Sequence, residues 1–140
     1  MSSYRTISLK SYSDIRNEYE AAGAILPGSV VALDSDGNVV VNATAGGPAA
    51  TMFALEDELQ GKTTRDAYAS GDRVQTTYVQ PGEEVLAVID SALEPAIGDL
   101  LEVAADGELQ AADTGVAQFQ VLSAKVVDDD SNHRIAVCRI

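Results

Sequence analysis

Short runs of apolar residues, bounded by glycine, proline, asparagine or aspartate, dominate the chain. Residues 29–33 and 38–42 flank Asp34-Ser35-Asp36-Gly37, whose Asp-Gly pair favours the positive φ that a tight β-hairpin needs. Further strands are predicted at residues 51–55, 73–79, 84–90, 117–127 and 133–140. About nine short strands with regular turns predict a mainly β fold, either a small barrel or a sandwich.

The first 22 residues have a different pattern. Residues 1–10 alternate in polarity and predict an extended N-terminal arm, which could also be an ordinary edge strand. Ser11 and Asp14 have the spacing of a capping box, and the apolar side chains that follow recur at helical spacing. We therefore expect one short helix near residues 12–22, within a single domain that spans residues 11–140.

Two repeats stand out among the turns. Residues 27–37 align with residues 97–107, which predicts two similar hairpins in facing sheets, although two generic hairpins would also align by chance. A second unit joins a glycine, one or two polar residues and an aliphatic residue. It occurs four times, at Gly28, Gly71, Gly82 and Gly98.

Charge narrows the possible functions. The 140-residue chain has a net charge of −13, and residues 74–124 contain no Lys or Arg but nine Asp or Glu. Such a surface repels phosphate backbones and anionic lipids, so we expect no direct binding to nucleic acid or to membranes. Aromatic residues make up 5% of the chain and Trp is absent, so the core must be built from Val, Leu, Ile and Ala.

Cysteine content and apolar runs set further bounds. Cys138 is the only cysteine, so an intrachain disulfide is impossible. No apolar run approaches the roughly 18 residues that span a bilayer, and no basic segment followed by an apolar one opens the chain as in a signal peptide. The protein is expected to act where it is made, or to be carried elsewhere by assembly.

No motif in the sequence indicates catalysis. Residues 34–38 begin like a calcium-binding EF-hand loop, but the glycine falls at the fourth place and Ala45 stands where the twelfth-place glutamate belongs. His133 is the single histidine, too few for a metal centre built on histidines. Asp128-Asp129-Asp130 is more typical of a solvated turn. We expect no enzyme activity and no metal or cofactor.

The long segment at residues 56–72 is the strongest candidate for a functional site. It follows an apolar strand and carries both signs of charge in an otherwise acidic protein. Loops of this length between strands usually have a function. Because no catalytic group dominates the loop, the sequence predicts contact with another molecule. The candidate contact residues are Glu56, Asp57, Glu58, Lys62, Arg65, Asp66, Tyr68 and Arg73.

Two stretches are also distinctive as motifs. Residues 53–62, FALEDELQGK, and residues 66–74, DAYASGDRV, together with 6–15, 24–28, 43–47 and 81–85, resemble the head decoration, or capsid cement, proteins of tailed bacteriophages. The resemblance covers most of the first 100 residues and is weak beyond about Ala104. It implies a β-barrel or β-tulip domain with an extended N-terminal arm and without catalytic residues.

The resemblance also implies partners and a location. Such proteins are generally homotrimers on the outer surface of the virion capsid, where they bridge subunits of the major capsid protein. The arm is then the expected capsid-binding element, through Tyr4, Arg5, Ile7, Leu9 and Lys10. The charged loop at residues 56–72, together with Arg73, is expected to contact a sister subunit or the shell. The alternative is an adhesion module, displayed on the virion, that binds a host-surface glycan. That function requires an exposed aromatic platform, and the chain has seven aromatic residues.

Overall fold

The computed structural model of the chain describes residues 6–13, 15–46, 51–113, 115–124, 126–129 and 132–140. Tyr4 and Arg5, two of the predicted arm residues, lie outside this part of the chain. Within it, no helix is long and apolar enough to cross a membrane. The described chain forms two antiparallel sheets that do not close into a barrel. The predicted mainly β fold is confirmed, as a small sandwich.

The first sheet has seven strands in the order β1-β7-β12-β10-β8-β9, and β11 pairs with β12. Its strands are β1 (Ser8–Lys10), β7 (Glu84–Val88), β8 (Leu100–Val103), β9 (Leu109–Ala111), β10 (Phe119–Val121), β11 (Val127–Asp129) and β12 (Asn132–Arg139). Strand β12 is central because it pairs with β7, β10 and β11.

The second sheet has five strands in the order β2-β6-β5-β3-β4. Its strands are β2 (Ile15–Glu20), β3 (Val30–Leu33), β4 (Val39–Val41), β5 (Met52–Ala54) and β6 (Arg73–Tyr78). Strand β2 pairs with β6 along its length, and Ala21, the residue that follows it, forms a parallel bridge with Val39 of β4.

One apolar cluster joins the two sheets. Val30, Phe53 and Leu55 pack with buried aliphatic side chains of the first sheet. The rings of Phe53 and Phe119 meet edge to face, with centroids 5.5 Å apart and planes 85° to each other, a favourable arrangement for two aromatic rings. A second cluster contains Val31, Met52, Ala54 and Val74 from the second sheet. The core is mostly aliphatic, as the composition required.

The two similar hairpins lie in different sheets, which confirms that prediction. Strands β3 and β4 form one hairpin in the second sheet, and β8 and β9 form the other in the first sheet. They meet where the Val30 N–H donates to the carbonyl of Gly107 at 2.8 Å. A Cβ atom on Gly107 would lie only 2.7 Å from the Val30 carbonyl oxygen, so this approach requires glycine.

The fourfold glycine unit forms four equivalent turns. Gly28, Gly71, Gly82 and Gly98 have φ angles of 94°, 90°, 90° and 92°. In each turn the next residue donates its N–H to the carbonyl two residues before the glycine. This is the geometry of a type II turn, which needs a positive φ at its third position. In three of the turns the side chain after the glycine also accepts the first N–H of the turn; these residues are Asp72, Glu83 and Asp99.

The helix predicted near residues 12–22 is wrong. Ile15–Glu20 is strand β2, paired with β6 from Ile15↔Tyr78 to Glu20↔Arg73. Few apolar residues recur there, and their spacing fits either element. The backbone pairing with β6 outweighs a short helix that would have had little packing to stabilise it. The described chain contains one helical turn, the 3-10 turn Glu58–Gln60.

Candidate contact surface

The loop at residues 56–72 has a defined path between β5 and β6. The Asp57 carbonyl accepts N–H groups from Gln60 and Lys62 at 3.1 and 3.0 Å, which closes the 3-10 turn. The loop then returns to the body at Tyr68, whose backbone exchanges two hydrogen bonds with Ile25 at 2.8 and 3.0 Å. The loop is thus tied to the sandwich at its far end as well as at its strands.

Tyr68 anchors the loop from inside. Its side chain is only 5% exposed, and its hydroxyl donates to the Leu55 carbonyl at 2.6 Å. Burial raises the pKa of the Tyr68 hydroxyl to about 12. The sequence predicts Tyr68 as a contact residue. In the structure its side chain is buried in the core, so it is not available to a partner in this conformation.

Arg134 is a second anchor, which the sequence analysis missed. Its side chain is fully buried in β12. The guanidinium donates to the Pro27 carbonyl from Nε and Nη2, each at 3.1 Å, and to the Thr64 carbonyl from Nη2 at 2.6 Å. Charge-assisted bonds of this kind are about twice as strong as neutral ones. Arg134 therefore ties the tip of the loop to the centre of the first sheet.

Glu56 links the loop to the N-terminal segment. Its carboxylate accepts the Ile7 N–H at 2.8 Å. Burial raises the pKa of the Glu56 carboxyl, and the hydrogen bond from Ile7 partly offsets that effect. Glu56 is half-buried, so it acts first as a structural link between two segments that the sequence assigned to separate contact sites.

The N-terminal segment is built into the sandwich over its described residues. The Ile7 side chain is fully buried, and Leu9 packs against the core. Ser8 and Lys10 pair with Val85 and Glu84 in the first sheet. For residues 8–10, the structure therefore matches the alternative of an edge strand. Lys10 is exposed, and its ammonium lies 3.6 Å from the Glu84 carboxylate.

The remaining predicted loop residues reach solvent. Glu58, Lys62, Arg65, Asp66 and Arg73 are exposed, and Asp57 is half-buried. The Asp66 carboxylate accepts the Thr63 N–H at 2.8 Å, and that bond lowers the pKa of Asp66. Leu59, at 78% exposure, projects among these charges.

The loop, β2 and β6 enclose an open groove of about 530 Å³. It is lined by Glu18, Asp57, Leu59, Gln60, Lys62, Asp72, Arg73 and Gln75. One wall is ordered by the Gln75 side-chain amide, which donates to the Glu18 carboxylate at 2.5 Å. Three carboxylates and two cations surround one apolar side chain. This mixture suits directional contacts with a protein surface that also carries both signs of charge.

A buried carboxylate organises the corner between the sheets. Glu83 is 3% exposed and accepts five hydrogen bonds of 2.6–3.0 Å. The donors are the Gln80 and Tyr12 N–H groups, the Ser11 hydroxyl, and the N–H and hydroxyl of Ser13. Burial opposes ionisation, but these bonds outweigh it and lower the pKa of Glu83 to about 2. The corner thus holds the chain as it passes from β1 to β2.

In the turn before β9, a glutamate lies beside other carboxylates and not among hydrogen-bond donors. The Glu108 side chain is half-buried, next to the carboxylates of Asp106 and Asp90. Burial, together with those two negative neighbours, raises the pKa of Glu108 to about 7, although His133 partly offsets the effect. Near neutral pH, a protonated Glu108 can donate to Asp106.

The other candidates for chemistry have structural roles or no support. The Asp34 carboxylate accepts the N–H groups of Asp36 and Asn38, each at 2.9 Å, and so forms the predicted hairpin turn. Asp128 and Asp129 of the predicted triple-aspartate turn belong to strand β11, and Asp130 lies outside the described residues. Across the described ranges, no three His, Cys, Asp or Glu side chains are grouped to hold a metal ion.

The fold and this surface define a small β-sandwich with an anchored, charged loop. No protein-family model matches the chain, and no curated protein matches it significantly.

Proposed function

We propose that this protein is a capsid decoration protein of a tailed bacteriophage. It would bind the outer surface of the virion shell and bridge major capsid protein subunits, most simply as a homotrimer. A packaged genome pressurises the shell, and a clamp across subunit boundaries resists their separation. Trimerisation would multiply weak contacts by raising their effective concentration. The proposal rests on the sequence resemblance and on the nature of the exposed surface.

The observation that carries the proposal is the anchored charged loop. The buried side chains of Tyr68 and Arg134 hold the loop against the sandwich. On the solvent side, Lys62, Arg65 and Arg73 are exposed. A loop held in this way loses little conformational freedom on binding, so more of its contact energy contributes to affinity. These three cations lie beside the acidic side chains of the same loop, and this mixture of charges gives the contact a direction.

The adhesion alternative has less support. Of the seven aromatic residues, Phe53, Phe119 and Tyr68 are buried. Among the described residues, Tyr12 is the one exposed aromatic side chain, at 71% exposure. Glycan-binding surfaces of the kind expected would need several such rings together. We therefore retain capsid binding as the proposed function.

The test is binding to expanded capsids that lack decoration protein. We expect the wild-type chain to bind them saturably and to raise their melting temperature. Replacing Lys62, Arg65 and Arg73 together with glutamine removes three exposed cations and keeps Tyr68 and Arg134 in place, and we expect it to weaken binding at least tenfold. Sedimentation of capsids with labelled protein measures both variants.

The control must change the net charge equally, elsewhere on the surface. Ser35→Asp, Ser91→Asp and Ala105→Asp alter exposed turn residues and also shift the charge by three. We expect this variant to bind like the wild type. If the wild type binds no better than an unrelated acidic protein, the capsid proposal is wrong. If both triple variants weaken binding equally, general charge rather than the loop is responsible.

A further inference from the structure

The two halves of the chain have the same strand arrangement. The first half contributes β2 to β6, which stand in the order β2-β6-β5-β3-β4. The second half contributes β7 to β10 and β12, which stand in the order β7-β12-β10-β8-β9. Each strand of the first half thus has a counterpart in the second, and β1 and β11 are additions to this common plan. The similar hairpins are one part of a longer internal repeat.

The pairing registers extend this match to single residues. One row of facing residues crosses β3, β5 and β6, and a second row crosses their counterparts β8, β10 and β12. The rows are Val30-Phe53-Thr77 and Leu100-Gln120-Cys138. Val79 and Ile140 come two residues after the last member of each row, and their N–H groups continue the two ladders at 2.8 and 3.1 Å. Because side chains alternate along a strand, Val79 and Ile140 share a face with the rows.

This face is buried in the first half of the chain and exposed in the second. Val30, Phe53 and Val79 are at most 4% exposed and pack into the apolar cluster that contains the core of the first sheet. Leu100 and Ile140, the counterparts of Val30 and Val79, are 46% and 50% exposed. We call the exposed set the open face; it consists of Leu100, Gln120, Cys138 and Ile140.

We propose that the open face joins three copies of this chain around a threefold axis. None of its four side chains is charged at neutral pH, although the chain has a net charge of −13. Copies of so acidic a chain repel each other, and an uncharged face is where they can pack most closely. In the first half of the chain the equivalent face already packs against the same fold, so the contact extends an interface that the chain itself contains.

The rim of the open face is polar, as is usual for protein interfaces. Glu84 pairs with Cys138 on the neighbouring strand, and its carboxylate lies 3.6 Å from the Lys10 ammonium. At the other end, the Asp99 carboxylate accepts the Ala96 N–H of its own turn at 3.0 Å. Acidic groups at the rim repel those of a neighbouring copy, and salt screens that repulsion. Association through the open face should therefore strengthen as salt is added.

This inference deepens the proposed function, because the number of copies rests on the homotrimer proposed there. The contact itself needs no capsid and involves none of the loop cations Lys62, Arg65 and Arg73. Trimers that fail to bind capsids would leave this inference intact and overturn the capsid proposal. A monomer that binds capsids, and binds them less well when Leu100 is changed, would show that the open face contacts the shell and that this inference is wrong.

Sedimentation equilibrium of the full-length chain tests the contact. We expect the wild type to have the mass of three chains. L100D and I140D each place a carboxylate on the open face, and we expect each to weaken association at least tenfold. L33D makes the same change in the second sheet, at 45% exposure against 46% for Leu100, and should remain trimeric. A wild type with the mass of one or two chains, or an L33D variant that dissociates as readily as L100D, overturns the proposal.

Two further measurements separate loss of the contact from misfolding. Q120L puts an apolar side chain where the first half of the chain has Phe53, and we expect it to tighten association at least threefold, which a misfolded chain cannot do. The Cys138 thiol lies on the open face, so it should react with iodoacetamide at least tenfold more slowly in the wild-type trimer than in L100D. Weaker association of Q120L, or equal thiol reactivity in the two proteins, would contradict the proposal.

Discussion

Two glutamates of this acidic chain have opposite environments. At the corner between β1 and β2, Glu83 is buried and surrounded by donors, and its carboxyl has a pKa of about 2. In the turn before β9, Glu108 lies beside Asp106 and Asp90, and its pKa is about 7. At neutral pH the first is fully ionised and stabilised, while the second is held near its titration point by its neighbours.

The difference shows that the net charge of −13 does not describe one kind of surface. Several carboxylates are structural acceptors for backbone N–H groups. Glu102, for example, is 3% exposed and accepts the Asp113 N–H at 2.6 Å. Others, such as those near Glu108, repel one another. Some carboxylates of this protein therefore stabilise loops by accepting backbone hydrogen bonds, while others destabilise the turn before β9 by repelling one another.

The largest effect is expected from removing the charge at the corner. The E83Q amide keeps the shape of the side chain, but one of its two acceptor oxygens becomes a donor that faces other donors. With the amide nitrogen at the Oε1 position, the Gln80 N–H loses its acceptor, and leaving a buried donor without an acceptor costs roughly 1–3 kcal/mol. The donors at Oε2 keep an acceptor but lose its charge, so we expect a loss near the top of this range. Urea unfolding at pH 7 measures it.

The neighbouring glutamate supplies a matched control. Glu84 is half-exposed, and its carboxylate lies 3.6 Å from the exposed ammonium of Lys10. Such surface pairs contribute about 0–1 kcal/mol, so E84Q should change the free energy of unfolding little. Equal losses in E83Q and E84Q would show that the corner does not depend on the buried carboxylate.

A smaller effect is expected in how the stability difference between wild type and E83Q changes with pH. The folded pKa of Glu83, about 2, lies below the ordinary value of 4.5. Its stabilisation is therefore fully present above about pH 4.5 and is lost as the pH falls towards 2. Unfolding curves between pH 2 and 6 should show the gap between wild type and E83Q narrowing on acidification. A constant gap would contradict the low pKa.

The sequence predicts the fold better than it predicts the roles of its charges. Alternating runs and glycine turns depend on neighbours along the chain, so strands β3 to β7 and both hairpins follow from local pattern. Strand β2 does not follow from local pattern, because the spacing of its apolar residues fits a helix equally well. It forms a strand because it pairs with β6, which is distant in sequence. Sequence separation also hides the corner, since Ser11 and Glu83 are 72 positions apart.

The roles of the residues in the loop at 56–72 were only partly predictable, because its anchors are contacts between residues that are distant in sequence. Its length and mixed charges single it out, and most of its charged residues are exposed. The sequence predicts Tyr68 and Glu56 as contact residues because they lie in this loop, but in the structure they anchor it. Arg134 gives one local signal, a cation within an alternating apolar strand, and only the packed structure shows that it holds Thr64.

The smallest effect is expected from relieving the repulsion near Glu108. Its folded pKa of about 7 exceeds the ordinary 4.5, so between these values the folded chain binds more protons than the unfolded chain. Wild-type stability from this group is thus present below about pH 4.5 and falls as the pH rises through 7. E108Q resembles the protonated form and can still donate to Asp106, so it should not lose this stability.

At pH 8 we therefore expect E108Q to be more stable than the wild type by about 1 kcal/mol, a modest value because solvent screens a half-buried side chain. At pH 4 the two proteins should unfold alike. Thermal unfolding across pH 4–8 measures the difference, and Glu94→Gln, at an exposed position, controls for the loss of one negative charge. If E94Q stabilises the chain as much as E108Q does, the gain comes from net charge and not from the crowded turn.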